Sequence, residues 1–251
     1  MDLKLEGRGV IVTGASRGLG WSAARALADE GANVLAVGRS EASLQVLARG
    51  SYAGSIHPQV CDMRDRAQVA ALAEIAVERL GRLDVVINNA GIAPAANFLE
   101  MDMAVLDETM EVNVASIAVL SQAAGRTFIA QGEGGRIVNI VSTSGILGKA
   151  TLAAYSASKG AAIQLTKALA AEWARHDIQV NAIAPGAFST EAQAYVTGNA
   201  DILAKRVRKI PARRMAEPDE IGPLVCYLSS PLAKFVTGAI YVIDGGETAK
   251  Q

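Results

Sequence analysis

The sequence predicts an α/β protein built on a doubly wound parallel sheet of about seven strands, with helices on both faces. Short runs rich in Val and Ile alternate along the chain with longer stretches rich in Ala and Leu. The short runs are almost continuously apolar, which indicates strands buried on both faces, as in a parallel sheet. Regular alternation of such strands with helices requires right-handed crossover connections. No internal repeat or linker divides the sequence, so residues 1–251 are expected to form a single domain.

The same pattern places the individual elements. Helical stretches are expected at Trp21–Glu30, Arg66–Leu80 and Leu152–His176. The strand candidates are, in chain order, Gly9–Thr13, Asn33–Val37, Ile56–Val60, Asp84–Ile87, Arg136–Val141, Ile178–Ile183 and Ala239–Ile243.

The overall composition argues against several classes of function. Of the 251 residues, 51% are hydrophobic and 20% are charged, and the formal charge is -1, so no basic field favours nucleic acid or an anionic membrane. Cys61 and Cys226 lack the spacing of a metal site or of a disulfide framework, which fits a reducing cytoplasm. The N-terminus has no pattern typical of a secretory signal, and no apolar run is long enough to span a bilayer. We therefore expect a cytoplasmic protein that needs no metal.

The first predicted strand runs into a glycine-rich turn and then directly into a helix. The turn reads Thr13-Gly14-Ala15-Ser16-Arg17-Gly18-Leu19-Gly20. Its glycines allow a tight turn and a close approach of the backbone to a ligand. The N–H groups at the N-terminus of the following helix favour an anion. The turn therefore predicts a Rossmann-type site for the pyrophosphate of a dinucleotide, formed by Gly14, Ser16, Arg17, Gly18, Leu19 and Gly20.

The end of the second strand bears on the choice between NAD and NADP. An acidic residue there would bind the ribose 2′-hydroxyl, whereas an arginine accepts a 2′-phosphate. The sequence has Gly38 at the acidic position, followed by Arg39 and Ser40, and Arg17 supplies a second guanidinium. Arginine pairs with phosphate through two parallel hydrogen bonds. We therefore expect NADP(H) to be favoured over NAD(H).

A long polar segment, residues 187–218, interrupts the alternation of strands and helices before the last strand. A connection of this length in a compact domain is typical of a substrate lid. Its cations indicate either a solvated helix face or a cationic lid over an anionic substrate or the cofactor phosphates. These cations are Lys205, Arg206, Arg208, Lys209, Arg213 and Arg214.

A pattern suited to proton transfer lies near the start of the predicted Leu152–His176 helix. Tyr155 and Lys159 are four residues apart, so their side chains share one face of the helix. An ammonium beside a phenol lowers the pKa of the phenol, which enables proton exchange with an alcohol or carbonyl oxygen near neutral pH. Ser142, thirteen residues upstream of Tyr155, supplies an orienting hydroxyl.

Together, the glycine turn and these three residues resemble the classical short-chain dehydrogenase/reductase family. Further motifs of the family occur in its order and spacing over essentially the whole chain. The matching segments are Asp62 after the third strand, Asn88-Asn89-Ala90-Gly91, Asn113 in Glu111-Val112-Asn113-Val114, Pro185-Gly186 with Phe188 and Thr190, and Asp244-Gly245-Gly246.

The resemblance implies hydride transfer between the nicotinamide C4 and a carbinol or carbonyl carbon. Tyr155 would act as the general acid or base, and Lys159 would lower its pKa and bind the nicotinamide ribose. Ser142 would stabilise the substrate oxygen, and Asn113 would link Lys159 to solvent through a water. Asp62 would bind the adenine amino group. The other residues implied at the cofactor are Met63, Asn89, Ala90, Gly91, Pro185, Gly186, Phe188 and Thr190.

The substrate is less defined by the sequence. Ser142, Ser144, Leu152 and Tyr155 are expected to contact it, within a pocket whose walls are apolar. The resemblance leaves two branches open, the 3-oxoacyl-acyl-carrier-protein reductases and a gluconate 5-dehydrogenase-like branch that acts on sugar acids, polyols and other small ketones or secondary alcohols.

Two residues bear on that choice. Glu133 and His176 stand where many carrier-protein reductases have basic residues, which favours the small-molecule branch. A protein that only senses the dinucleotide is an alternative of another class, since a fold does not imply an activity.

The sequence also predicts self-association. The stretches Ala104–Ala130 and Leu152–His176 carry small residues on more than one side, which indicates burial beyond the side that faces the sheet. The resemblance implies that these two helices pair between subunits and that the last helix and strand join dimers. We expect a homotetramer with 222 symmetry, with a dimer as the alternative.

Overall fold

The computed structural model describes residues 1–250, whose seven strands form one parallel sheet in the order β3-β2-β1-β4-β5-β6-β7. This confirms the predicted doubly wound α/β fold. The strands are β1 Gly9–Thr13, β2 Asn33–Gly38, β3 Ser55–Val60, β4 Val85–Asn88, β5 Gly135–Ile140, β6 Ile178–Pro185 and β7 Ile240–Ile243. The α-helices are α1 Gly18–Asp29, α2 Glu41–Ala48, α3 Arg66–Leu80, α4 Met103–Met110, α5 Ser116–Gln131, α6 Ala153–Trp173, α7 Ala194–Thr197, α8 Ala200–Val207 and α9 Gly222–Ser229.

Helices cover both faces of the sheet. In β1, Val10 and Val12 belong to the core on one face, together with residues of α1, α2 and α9. Ile11, between them, belongs to the core on the other face, together with residues of α3, α5 and α6. This alternation explains why the central strands are almost wholly apolar, since successive side chains point to opposite faces and both faces are buried.

The two edge strands differ from the central ones. β6 is buried at every position, whereas β7 is only partly buried. β3 contains Pro58, and proline is tolerated in an edge strand because one side of that strand needs no ladder hydrogen bonds. Among residues 1–250, no helix combines the length and the apolarity needed to cross a membrane.

The strand order reverses between β1 and β4, and this reversal positions the site. From β1 the chain proceeds outward through β2 and β3 and then returns to place β4 on the other side of β1. The connections after β1 and β4 therefore leave in opposite directions and open a crevice at the carboxyl ends of these strands. Ligands of doubly wound folds bind in this crevice.

The bounds of most predicted elements shift by one to three residues, and three differences bear on the site. The first helix begins at Gly18 rather than Trp21, because the last residues of the glycine turn already form its first turn. The stretch 104–130 is not one α-helix, because a π-helical segment, Glu111–Ala115, separates α4 from α5. The segment 187–218 is not only loop, since it contains α7 and α8.

Candidate active site

The glycine turn requires its glycines for steric reasons. Gly14 has a φ of 69° and Gly18 a φ of 56°, in the left-handed region that favours glycine. A Cβ on Gly20 would lie 2.3 Å from the Gly14 carbonyl oxygen and 2.4 Å from Nδ2 of Asn89. Within the described chain, no side chain caps the N-terminus of α1, and its first turn holds no acidic residue. The turn thus brings free backbone N–H groups close to an open crevice, where they suit an anion.

The end of β4 is joined to this turn by hydrogen bonds. Nδ2 of Asn89 donates to the carbonyl oxygen of Thr13 over 2.9 Å. The backbone N–H groups of Asn89 and Ala90 both donate to Oγ1 of Thr13, over 3.0 and 3.1 Å. The predicted cofactor residues at the ends of β1 and β4 therefore lie side by side at the base of the crevice.

The end of β2 packs closely against the glycine turn. A Cβ on Gly38 would lie 2.1 Å from Oγ of Ser16, so a side chain at this position would require the Ser16 hydroxyl to rotate away. Arg39 follows as an exposed residue, and Ser40 caps α2 by accepting from the backbone N–H of Ser43. A cavity of about 560 Å³ opens beside this corner, with Ser16, Arg17 and Ser43 among its lining residues.

Tyr155 and Lys159 lie together on α6, as predicted. Nζ of Lys159 is 5.7 Å from the centre of the Tyr155 ring and donates to the carbonyl oxygen of Ile140 over 2.8 Å. Lys159 is only 3% exposed. Because burial penalises its charged form, the pKa of Lys159 falls from its ordinary value to about 8.

The predicted direction of the Tyr155 pKa shift is wrong in this structure. Burial raises the pKa of the phenol above its ordinary value, and the interaction with the Ser142 side chain opposes this shift only in part. The ammonium of Lys159 points at the Ile140 carbonyl oxygen and lies over the ring, so it offsets little of the desolvation of the phenol. The phenol is therefore held protonated.

Asn113 lies in the π-helical segment and is fully buried. Its side chain accepts from the backbone N–H of Ile92 and donates to the carbonyl oxygen of Ile92, each over 2.9 Å. Its Nδ2 also donates to Oγ of Ser158 over 2.9 Å, and that hydroxyl donates to the backbone oxygen of Tyr155 over 2.8 Å. Asn113 is thus linked to the main chain of Tyr155.

Ser158 contacts Asn113, and no sequence motif singled it out. Its position one residue before Lys159 gives no signal of its own, because its partner Asn113 is brought near only by the fold. Asn113 and Lys159 meet at Gly91, where an added Cβ would lie 3.2 Å from Oδ1 of Asn113 and 3.5 Å from Nζ of Lys159. No direct hydrogen bond joins these two side chains in residues 1–250.

Ser142 stands at the mouth of the crevice, at the end of β5. It is buried, and its Oγ accepts from the backbone N–H of Ser144 over 3.1 Å, which starts a short 3₁₀ turn. Leu152 precedes the first turn of α6 and is partly buried. Ile146 and Leu147, which lie between Ser142 and Leu152 in the chain, are large exposed apolar residues.

The segment after β6 reaches back to the glycine turn. Gly186 donates its backbone N–H to the Ile243 carbonyl oxygen, while Phe188 is buried in the core, so its side chain does not line the crevice. A Cβ on Gly18 would lie 3.4 Å from Cγ2 of Thr190, which places Thr190 over the N-terminus of α1.

The cations of segment 187–218 are only partly free. Arg206 forms a two-point ion pair with Glu247 at 2.6 Å for each contact, and Arg214 pairs in the same way with Glu220. These two guanidinium groups therefore face carboxylates of the protein itself, which reduces the positive field that a lid could offer.

The arrangement brings a glycine turn that suits an anion and the phenol of Tyr155 to the same end of the sheet. Tyr155 can give or take a proton, Ser142 can donate to an oxygen beside it, and Lys159 carries a charge next to the ring. Within residues 1–250, no group of three His, Cys, Asp or Glu side chains is arranged to hold a metal ion.

Comparison with known proteins gives concordant matches over nearly the full chain. A sequence family described as enoyl-(acyl carrier protein) reductase matches residues 14–248. A galactitol 2-dehydrogenase (L-tagatose-forming) of Cereibacter sphaeroides is 40% identical over 248 residues, which cover 98% of this chain and 96% of the relative.

Solved structures match equally well. A gluconate 5-dehydrogenase of Burkholderia cenocepacia J2315 in complex with NADP and tartrate aligns with a TM-score of 0.93 at 34% identity, over 100% of this chain and 98% of the other. A short-chain type dehydrogenase/reductase of Mycobacterium marinum aligns with a TM-score of 0.91 at 34% identity, over 99% and 98% of the two chains.

Proposed function

Because the chain belongs to the short-chain dehydrogenase/reductase family and is an oxidoreductase that acts on a CH–OH group, we propose that it interconverts a small secondary alcohol and its ketone with NADP(H). We propose Tyr155 as its general acid and base. One observation carries this proposal, namely that a buried Lys159 lies against Tyr155 beside Ser142, in the crevice that also holds the glycine turn.

The residues of the crevice fit a dinucleotide. The backbone at Gly14, Gly18 and Gly20 makes a tight turn, which a Cβ on Gly20 would disrupt by colliding with the Gly14 carbonyl oxygen. The N-terminus of α1 would bind the pyrophosphate, and Thr190 lies beside that N-terminus. When bound, the nicotinamide supplies the hydride chemistry.

The protein's own residues would then manage the proton. In the reductive direction, Tyr155 gives its phenolic proton to the carbonyl oxygen of the substrate, and it recovers that proton from the alcohol in the oxidative direction. The raised pKa of Tyr155 keeps the phenol protonated and ready to donate. The Ser142 hydroxyl holds the substrate oxygen, and its interaction with Tyr155 favours the phenolate once the proton has left. Lys159, whose ammonium lies over the Tyr155 ring, would bind the nicotinamide ribose.

A sugar acid or a polyol is the substrate class that we propose. The relatives named for galactitol and gluconate support this class. Glu133 also weighs against an acyl carrier protein, because it pairs with Arg82 at 2.6 Å and gives an acidic carrier no free cation at that point.

For the cofactor, we propose a preference for NADP(H) that depends on Arg17 and Arg39. The neighbouring structure with bound NADP supports this choice, and so does the lack of an acidic side chain at position 38. A hydrogen bond to a charged group contributes about 1.5–3 kcal/mol. Loss of the Arg39 guanidinium should therefore lower the NADPH affinity by about 10- to 100-fold and leave the NADH affinity almost unchanged.

The test is a panel assay with NADPH and NADH against sugar acids, polyols, diketones and a 3-oxoacyl thioester. Arg39→Met should lose the NADPH preference, whereas Arg49→Met, which removes an exposed charge at the end of α2, should keep it. Equal use of NADH by the wild-type protein would contradict the cofactor proposal. Turnover of the 3-oxoacyl thioester alone would replace the proposed substrate with the carrier-protein alternative, and cofactor binding without turnover would favour a sensing protein.

We also propose that the chain forms a homotetramer. Phe235 is fully exposed, and Leu232 and Val242 are also exposed, in the region of the chain that leads into and forms the edge strand β7. An apolar surface of this kind is typical of an interface. Sedimentation that gives a single species of 26 kDa would refute the proposal.

A further inference from the structure

The carboxylate of Asp62 is clamped by its neighbour Arg64 at the end of β3. Nε of Arg64 lies 3.0 Å from each of the two carboxylate oxygens, and Nη2 donates to Oδ2. The backbone N–H of Arg64 also donates to Oδ1 over 3.0 Å. Arg64 therefore supplies side-chain donors to both oxygens and a main-chain donor to Oδ1.

The Arg64 guanidinium also contacts a second carboxylate, on α4. Nη1 of Arg64 lies 3.4 Å from Oε1 of Glu108, so the guanidinium spans from Asp62 to α4. The hydrogen bonds with Arg64 hold the pKa of Asp62 at about 2, so the carboxylate is ionised throughout the neutral range. Its side chain stays 33% exposed, which leaves acceptor positions open on the side away from Arg64.

We propose that Arg64 is a positioning residue for the adenine end of the cofactor, because it fixes the Asp62 carboxylate as an acceptor aimed at the adenine amino group. This inference rests on the proposed function. A carboxylate only accepts hydrogen bonds. It suits the amino group of adenine and rejects the carbonyl oxygen of hypoxanthine at the same ring position. A carboxylate that could rotate would turn away from the carbonyl, whereas one held at both oxygens cannot.

The experiment measures dissociation constants for NADPH and for its analogue in which hypoxanthine replaces adenine. Arg64→Met keeps the unbranched stem and removes the clamp. Arg66→Met is the matched control, since Arg66 makes a similar two-point ion pair, with Glu111. Arg64→Lys keeps the charge but not the two-point geometry. Both residues changed, Arg64 and Arg66, are exposed, and circular dichroism checks that each of the three variants is folded.

The wild-type protein and Arg66→Met should prefer NADPH over the hypoxanthine analogue by about tenfold, the effect of a mismatched polar pair. Arg64→Met should reduce this preference to about twofold, and Arg64→Lys should also lose most of it. An unchanged preference for NADPH in Arg64→Met would overturn the inference. A preference that is lost in Arg64→Met but fully kept in Arg64→Lys would also overturn it, since the positive charge alone would then explain the preference. A wild-type protein that binds neither NADPH nor NADH would instead refute the proposed function.

Discussion

Replacing Lys159 with methionine should make the protein more stable at neutral pH while it removes the activity. Burial lowers the pKa of Lys159 from 10.5 to about 8. At about 1.4 kcal/mol for each pH unit, this difference means that the charged side chain lowers the free energy of unfolding by about 3 kcal/mol at pH 7. The substitution also removes the hydrogen bond to the Ile140 carbonyl oxygen, which costs about 1 kcal/mol. The variant should therefore be more stable by about 2 kcal/mol.

The pH dependence provides a second, independent check on the same residue. Between about pH 8 and pH 10.5 the unfolded chain keeps a proton on Lys159 that the folded protein has released. The free energy of unfolding of the wild-type protein therefore rises with pH in this window. The advantage of Lys159→Met should shrink by about 1 kcal/mol between pH 7 and pH 9. Measurements stay below pH 10, because the raised pKa of Tyr155 introduces a second titration above that value.

The assay is urea unfolding at pH 7 and pH 9 at one protein concentration, followed by tryptophan fluorescence. Lys167→Met is the matched control, because Lys167 is exposed on the same helix and should show no difference at either pH. The reasoning is refuted if Lys159→Met is less stable than the wild type at pH 7, or if its advantage is the same at both pH values.

Two further substitutions test the crevice. Gly20→Ala places a Cβ 2.3 Å from the Gly14 carbonyl oxygen, so cofactor binding should be lost and the free energy of unfolding should fall by about 2 kcal/mol. Gly148→Ala is the control, because no atom lies within 4 Å of its new Cβ. In titrations followed by fluorescence, this control should behave as wild type. Ser158→Ala removes the link from Asn113 to the Tyr155 main chain, so urea unfolding should show a loss of about 1–2 kcal/mol and turnover should fall severalfold. Ser156→Ala is its control, since the Ser156 hydroxyl is buried without a partner in residues 1–250; a loss as large as that of Ser158→Ala would contradict the assigned role.

The elements that the sequence predicted well depend on local rules. The central strands followed from runs of Val and Ile, since burial on both faces leaves no polar alternation. The glycine turn followed from spacing, since Gly14 and Gly18 need left-handed φ angles that other residues avoid. Tyr155 and Lys159 could be paired because four residues on a helix always share a face.

The features that sequence reasoning missed depend on distant neighbours. The π-helical segment around Asn113 arises from one extra residue per turn, which no local propensity marks. The contact of Arg64 with Glu108 requires α4 to be in place, and the link from Asn113 to Ser158 requires α6. The direction of the Tyr155 pKa shift was missed for the same reason, because desolvation is set by the whole site and not by the nearest cation.

The central claim is that Tyr155 exchanges the proton that accompanies hydride transfer. Tyr155→Phe keeps the ring beside Lys159 and removes only the hydroxyl, so NADPH affinity should remain within about twofold of wild type. The rate of hydride transfer, measured in a single turnover with a substrate found in the panel, should fall by about 100- to 10,000-fold. A variant that binds NADPH and retains more than about one tenth of the wild-type rate would contradict the account.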